Sequence, residues 1–159
     1  MKSKGQAALE FLTTYGWAFL VILIMISTLA YFGVLKPSRL LPDRCSTGPE
    51  FECQDFQISH TDNVIKIRLK NNMGDPVSVT SINVSSESAV ALTCTGPGAI
   101  GTWGTSDVKD ITFTNCNSDA VGFIKDEKGK VFFSMRYNSV RSGSGYSHDL
   151  NGEILSTVV

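Results

Sequence analysis

The first part of the chain is a single apolar stretch. Phe11 to Leu35 are 25 successive residues without a charge. As a helix they would extend about 37 Å at ~1.5 Å per residue, which is enough to span a hydrocarbon core of ~30 Å with some tilt. Helix-forming residues are abundant before Pro37, which stops a helix. We therefore predict a long hydrophobic helix over residues 6–36.

Beyond Cys45 the hydrophobic period changes from helical to two. In VIKIRLK (64–70), apolar Ile65, Ile67 and Leu69 alternate with basic residues, as in a half-buried β-strand. The phase of the apolar positions shifts within VSVTSINV (77–84), which predicts a strand with a bulge. Further strands are predicted in AVALTC (89–94), VKDITF (108–113) and EILSTVV (153–159), with a hairpin from Val121 to Tyr137 whose turn is KDEKG.

Seven or eight short strands and no second helix predict a fold class of α+β. We expect the long N-terminal helix, then a proline-containing hinge over residues 37–50, then an all-β antiparallel sandwich head over 51–159. The size and strand spacing of this head are immunoglobulin-like. The stretches GPGAIGTWGTSD (96–107) and SGSGYSHDLNG (142–152) are expected to be loops.

All four cysteines lie after the apolar stretch, at Cys45, Cys53, Cys94 and Cys116. They form no CxxC pair and have no metal-ligand spacing with the two histidines, which argues against a zinc site. Two disulfides in an oxidising space are expected, and this is what places the head outside the cell, since the flanking charges are inconclusive. Three pairings are open, as are four reduced thiols. The pairing of sequence neighbours, Cys45–Cys53 and Cys94–Cys116, is favoured.

The charge balance and the absence of certain motifs argue against several classes of function. The balance of 14 basic and 15 acidic residues, without a basic stripe, argues against nucleic acid as a partner. Ser147-His148-Asp149 are contiguous, whereas catalytic triads meet through the fold. The aspartates lack the spacing of a calcium loop, and no phosphate-binding loop occurs. We therefore expect neither an enzyme nor a bound metal or cofactor.

Two further residues have alternative interpretations. Asn83-Val84-Ser85 is an N-glycosylation sequon, but it lies in a predicted strand where half of the side chains point inward. Trp103 lies in a glycine-rich stretch and is expected to be exposed in a loop. It would either stack on a sugar or cover an edge of the sandwich, and the second is favoured.

One carboxylate, Glu10, stands at the start of the apolar stretch. A charge at membrane depth costs at least ~2.5–3.5 kcal/mol, so a partner is expected for it. An ordinary secretory signal would be shorter, and a plain membrane anchor would leave Glu10 unexplained. A third interpretation is cleavage before the apolar stretch, so that the hydrophobic helix is retained.

The residues around Glu10 resemble a known family. The stretch Gly5-Gln6-Ala7-Ala8-Leu9-Glu10-Phe11-Leu12 resembles the class III signal peptide of archaeal type IV pilins, and the resemblance extends over residues 2–35. In that family a membrane prepilin peptidase cuts after the glycine. The resemblance implies a leader of residues 1–5, a processing site at Gly5 and Gln6, and Gln6 as the new N-terminus. The family usually has serine where this chain has Ala8.

The resemblance also implies a function. It predicts a structural subunit that polymerises through its N-terminal helix into a surface filament, for adhesion or another pilus task. Glu10 would then pair with the α-amine of Gln6 on a neighbouring copy and set the axial register. The implied partners are the prepilin peptidase, an assembly ATPase and a membrane platform protein. The precursor would be a single-pass membrane protein. The alternatives are a minor pilin or pseudopilin-like protein whose head binds a ligand, and a plain membrane-anchored β domain.

Overall fold

A computed structural model describes residues 3–32 and 41–159, with side chains of the helix from residue 8 onward. The chain divides into two units, residues 1–40 and residues 41–159. The first unit contains helix α1, Ser3–Tyr31. This helix begins three residues before the predicted start at Gln6, and residues 33–36 of the prediction lie outside the described residues.

The second unit is a β head of two antiparallel sheets. One sheet has five strands in the order β1-β8-β7-β4-β5, and the other has three in the order β2-β3-β6. The predicted α+β class, a helix followed by an antiparallel sandwich, is therefore confirmed. The strands are β1 Arg44–Ser46, β2 Phe51–Ser59, β3 Val64–Asn71, β4 Val77–Ser86, β5 Gly101–Trp103, β6 Val108–Phe113, β7 Lys128–Ser139 and β8 His148–Thr157.

The alternating strands build one core between the sheets. The predicted inward positions of β3 are all buried, and the intervening basic residues face solvent or are half-buried. Strand β7 alternates in the same way along its length, so its apolar residues enter the core from the opposite sheet. The largest fully buried side chains are Trp103, Phe51, Phe113, Phe133, Ile58, Ile65, Ile67, Leu69, Ile111, Met135, Ile154 and Val77.

Two irregularities in register shape the sheets. The pairing of β4 with β7 shifts between Val79 and Ser81, which confirms the bulge predicted from the change of apolar phase. This extra residue lets Val79 and Ile82 both face the core. A second shift, between Cys53 and Asp55 in β2, was not predicted.

The expected exposure of Trp103 is wrong, because its side chain has no solvent-exposed area. Its strand β5 pairs with the start of β4, with Val77 opposite Trp103. The indole ring lies 5.2 Å from that of Phe51, and its Nε1 donates a hydrogen bond of 2.9 Å to the carbonyl oxygen of Asp107. Trp103 is therefore a core residue with its one polar group satisfied, and it is not available to stack on a sugar.

Two predicted strands are absent from the described head. Residues 89–94 form bends and irregular backbone, and only the adjoining Thr95 makes a bridge, to Thr114. The predicted hairpin is wrong as well, since residues 121–122 form a turn, residues 123–124 are irregular, and β7 begins at Lys128. Val121 and Phe123 are nonetheless buried. They are apolar because this segment packs into the core without being a strand. A short apolar run in a sequence does not distinguish such a segment from a strand.

The predicted hinge over residues 37–50 is too long. Residues 37–40 lie outside the described residues, whereas Arg44–Ser46 form strand β1 and pair with β8. Asp43 is also bound to the head, through Lys128 and Thr157. The last strand likewise differs from the prediction, since β8 begins at His148 inside the predicted loop.

Candidate functional site

Helix α1 exposes apolar side chains on all sides. From residue 8 to residue 32 every side chain is exposed except the half-buried Val21. The span Ala8–Tyr31 is long and apolar enough to cross a membrane. Within the described residues nothing covers this surface, so in water it would expose far more apolar area than soluble monomers tolerate. The helix therefore requires a membrane or other apolar surfaces around it.

The serine and threonine hydroxyl groups of α1 between residues 8 and 32 are satisfied within the helix itself. Thr13 and Thr14 donate hydrogen bonds to the carbonyl oxygen of Glu10, at 3.1 and 2.9 Å. Ser27 donates to the carbonyl oxygen of Leu23 at 2.7 Å, and Thr28 to that of Met25 at 2.8 Å. Such back-bonding removes the cost of placing a hydroxyl group in an apolar medium.

The carboxylate of Glu10 is different, because the described part of the chain supplies no cation for it. Its side chain is exposed, like those of Leu9 and Phe11 beside it. A buried or membrane-embedded carboxylate requires a partner from elsewhere. Glu10 is thus the one charged residue of the apolar helix between residues 8 and 32.

The candidate processing site lies one helical turn from Glu10. Gly5 and Gln6 are within the first turns of α1. Residues four apart lie on the same face of a helix, so the backbone nitrogen of Gln6 and the side chain of Glu10 are placed along one face. In a single helix this arrangement is consistent with the predicted assembly pair, but pairing between copies stays a prediction.

The cysteines form two disulfides in the favoured pairing. Cys45–Cys53 joins β1 in the five-stranded sheet to β2 in the three-stranded sheet. Cys94–Cys116 joins the irregular stretch before β5 to the residues that follow β6. The four-thiol alternative is therefore wrong, and an oxidised head agrees with a location in an oxidising space.

The sequon is accessible. Asn83 is exposed on the outer face of β4, and Ser85, the third residue of the sequon, is exposed as well. Asn83 lies opposite Ser134 of β7, and their small side chains border a shallow polar depression with Arg136 and Asp149. The inward orientation that the sequence left open is thus excluded, while glycan attachment stays a prediction.

The outer faces of the head carry cross-strand ion pairs. Arg68 binds Asp110 through two hydrogen bonds of 2.6 and 2.9 Å, and Arg136 binds Asp149 through bonds of 2.8 and 3.2 Å. These hydrogen bonds hold the pKa values of both carboxyl groups below their usual range and raise those of both guanidinium groups. Such pairs make the surface polar and well solvated, as suits a head in water.

A third group of charges lies at β1. Glu153 accepts hydrogen bonds from Arg44, at 2.8 Å, and its second oxygen lies 3.6 Å from the ammonium of Lys130. The bond from Arg44 is the main reason why the pKa of Glu153 is lowered. Asp43, nearby in the chain, accepts from Lys128 and from the backbone N–H of Thr157. Sequence reasoning missed this cluster, because Asp43 and Arg44 are more than 80 residues from the partners that they bind.

The contiguous serine, histidine and aspartate do not form a catalytic arrangement. The carboxylate of Asp149 binds Arg136, and the ring of His148 stacks on that of Tyr137 with 5.5 Å between centroids. In the described ranges 8–32 and 41–159 no group of three His, Cys, Asp or Glu side chains is placed to hold a metal ion. The chemistry that stands out is therefore the exposed apolar helix with its single carboxylate.

Comparison with known proteins adds no assignment: no family model matches the chain, and a search of curated protein sequences finds no significant match.

Proposed function

We propose that this chain is a type IV pilin-like structural subunit, which polymerises through its N-terminal helix into a surface filament. The observation that carries the proposal is Glu10, a carboxylate without a described partner on a helix whose apolar side chains are exposed all round. An isolated anchor would be buried by lipid, but the hydrocarbon interior of a bilayer offers no cation to a carboxylate. A second copy of the same helix supplies both an apolar surface and a cation.

The cation would be created by processing. Cleavage between Gly5 and Gln6 by a prepilin peptidase would leave an α-amine on Gln6 with a pKa near 7.7–8, so it is mostly protonated at neutral pH. The amine of one copy would face Glu10 of its neighbour. Because a desolvated pair contributes little net stability, this contact would mainly fix the axial register of the helices.

The head supports the proposal in a different way. It has its own core, two disulfides and a surface of paired charges. It therefore needs no burial by neighbours and suits the outside of a filament. Export would place it there, while the precursor is held in the membrane by α1. An assembly ATPase and a membrane platform protein complete the set of partners that the family resemblance implies.

The proposal is tested by the intact mass of the chain in filaments sheared from native cells. The expected chain begins at Gln6 and is lighter by four mass units than the reduced form, because of its two disulfides. A full-length chain that stays in the membrane fraction and is absent from filaments would contradict the proposal, and would favour the plain membrane-anchored β domain.

A further inference from the structure

The stretch that leads into the head is fastened to it first by Asp43. One oxygen of this carboxylate accepts hydrogen bonds from the ammonium of Lys128, from the backbone N–H of Thr157 at 2.8 Å and from its hydroxyl group at 3.2 Å. The side chain of Lys128 is only 11% exposed, whereas that of Asp43 is 46% exposed, so this bond is shielded from water on the side of the ammonium group. Charge-assisted bonds of this kind are stronger than neutral ones.

The second fastening is strand β1. Its three residues pair with the end of β8, with Arg44 opposite Leu155 and Ser46 opposite Glu153. The side chains of Arg44 and Glu153 also bind each other at 2.8 Å. Because β1 has only three residues, its ladder alone would separate readily, and the flanking contact of Asp43 holds the end from which it would peel.

The third fastening is covalent and leads into the other sheet. Cys45 in β1 is bonded to Cys53 in β2. Strand β2 pairs with β3 along eight registered positions and contributes the buried Phe51 and Ile58 to the core. A force on Cys45 is thus transmitted through the disulfide to strand β2 in the other sheet. Strand β2 is paired with β3 from Phe51 to Ser59.

We propose that Asp43–Cys45 is a tension clamp, which keeps a pull on the N-terminal part of the chain from unravelling the head. The source of the tension rests on the proposed function, since a subunit held in a filament by α1 is pulled through this stretch. The clamp has two stages. The contacts of Asp43 keep β1 in the sheet, and the disulfide stops the chain from being drawn out further when they fail.

Chain length gives the size of each stage. Once Asp43 and Arg44 detach, only residues 43–44 are released before the disulfide at Cys45, which is about 7 Å at ~3.5 Å per residue. Without the disulfide the stretch up to Cys53 follows, and it removes Phe51 from the core. Failure of the first stage thus lengthens the chain only slightly and reversibly. Failure of the second stage would open the sandwich.

The first stage is tested with trypsin on the full chain in detergent micelles. The bond after Arg44 lies in β1, so its cleavage reports detachment of that strand. We expect Asp43→Asn, which keeps the shape and removes the charge, to speed cleavage there by about tenfold. The matched control Asp149→Asn breaks an ion pair elsewhere on the same sheet and should leave the rate unchanged.

Cleavage after Arg68, in the central strand β3, separates local detachment from unfolding of the whole head. The clamp predicts that Asp43→Asn raises the rate at Arg44 and not at Arg68. Equal rates at Arg44 in the two aspartate variants, or a parallel rise at Arg68, would overturn the first stage.

The second stage is tested by hydrogen exchange of the same chain in micelles. In Asp43→Asn the amides of β2, Phe51–Ser59, should stay protected. Combining it with Cys45→Ser and Cys53→Ser should expose the first half of β2, whereas combining it with Cys94→Ser and Cys116→Ser should not. Equal loss of protection in both combinations would refute the second stage. Because neither test uses filaments, they stand or fall separately from the mass of the filament subunit.

Discussion

The helix and the head solve the problem of apolar surface in opposite ways. Helix α1 leaves its apolar side chains exposed and keeps one carboxylate without a described partner. The head buries its apolar side chains between two sheets and carries ion pairs between neighbouring strands on its outer faces. The head thus has a core of its own, whereas the apolar side chains of the helix stay exposed in the described chain. Changes in the two units should therefore separate assembly from stability.

The largest expected effect is on assembly alone. Glu10→Ala should abolish filaments, because it removes the only charge that could pair with a neighbouring α-amine, while processing after Gly5 and the melting temperature of the head stay as in the wild type. Filaments are detected by electron microscopy of sheared material, processing by the intact mass of the chain, and head stability by thermal melts. Thr14→Ala, which removes a self-satisfied hydroxyl group one turn away, is the control and should assemble. Normal filaments from Glu10→Ala would contradict the prediction that assembly depends on the carboxylate of the helix.

The largest effect on stability should come from the disulfides, and the two should differ. The Cys94–Cys116 bond has a sequence separation of 22 residues and the Cys45–Cys53 bond one of 8. Loop-closure entropy then predicts losses of about 3.4 and about 2.5 kcal/mol in the free energy of unfolding when each pair is replaced by serine. Denaturant titration followed by circular dichroism measures both. A larger loss for the shorter loop would show that contacts across the sheets outweigh chain entropy.

A packing change in the head should come next. A Cβ atom on Gly152 would lie 2.2 Å from the ring of Phe133, which rests on this glycine. Gly152→Ala should therefore overpack the core and lower the free energy of unfolding by about 1–3 kcal/mol, without altering processing. Gly145→Ala is the matched control, since its added methyl group would meet no atom within 4 Å. Equal stabilities for the two variants would mean that the core at Phe133 adapts freely.

The smallest effect should be a loss of head stability in acid. Hydrogen bonds from Lys128, Arg68, Arg136 and Arg44 lower the pKa values of Asp43, Asp110, Asp149 and Glu153 respectively. A lowered folded-state pKa contributes stability that is present above the unfolded-state value, near pH 4, and is lost as the pH falls through the folded-state value.

The melting temperature of the head should therefore be nearly constant between pH 7 and pH 5 and fall below about pH 4. Asp149→Asn should reduce the fall in melting temperature below pH 4. Added salt should also reduce this fall, since exposed ion pairs are screened. A melting temperature that rises on acidification would contradict the role of these pairs.

The fold was predictable where local patterns decide it. The uncharged stretch from Phe11 predicted α1, the alternation in Val64–Lys70 predicted β3, and the phase shift near Thr80 predicted a bulge. The prediction of a strand failed at Val121 and Phe123, because their side chains pack into the core from a segment outside any strand. Trp103 was misplaced for the opposite reason, because glycine-rich flanks concealed a short strand that pairs with β4.

The candidate site divides in the same way. Gly5, Gln6 and Glu10 could be singled out in the sequence, because they lie in one contiguous stretch, residues 5–12, that resembles a known signal peptide. The cluster of Asp43, Lys128 and Thr157 was not, since no local signal links residues that far apart. Asn71 is a similar case. Its buried side chain donates to the carbonyl oxygen of Gly104, 33 residues away, and accepts from the N–H of Met73.

The sequence by itself determined that the chain has one long apolar helix with a carboxylate near its start and a disulfide-bonded β head. Runs, periods and charges along the chain encode such features directly. Only the tertiary structure decided that Trp103 is buried, that Asn83 faces outward and that Asp43 ties the start of the head to its last strand. Each of these depends on which strands become neighbours, and that choice minimises exposed apolar area over the whole head rather than within any one segment.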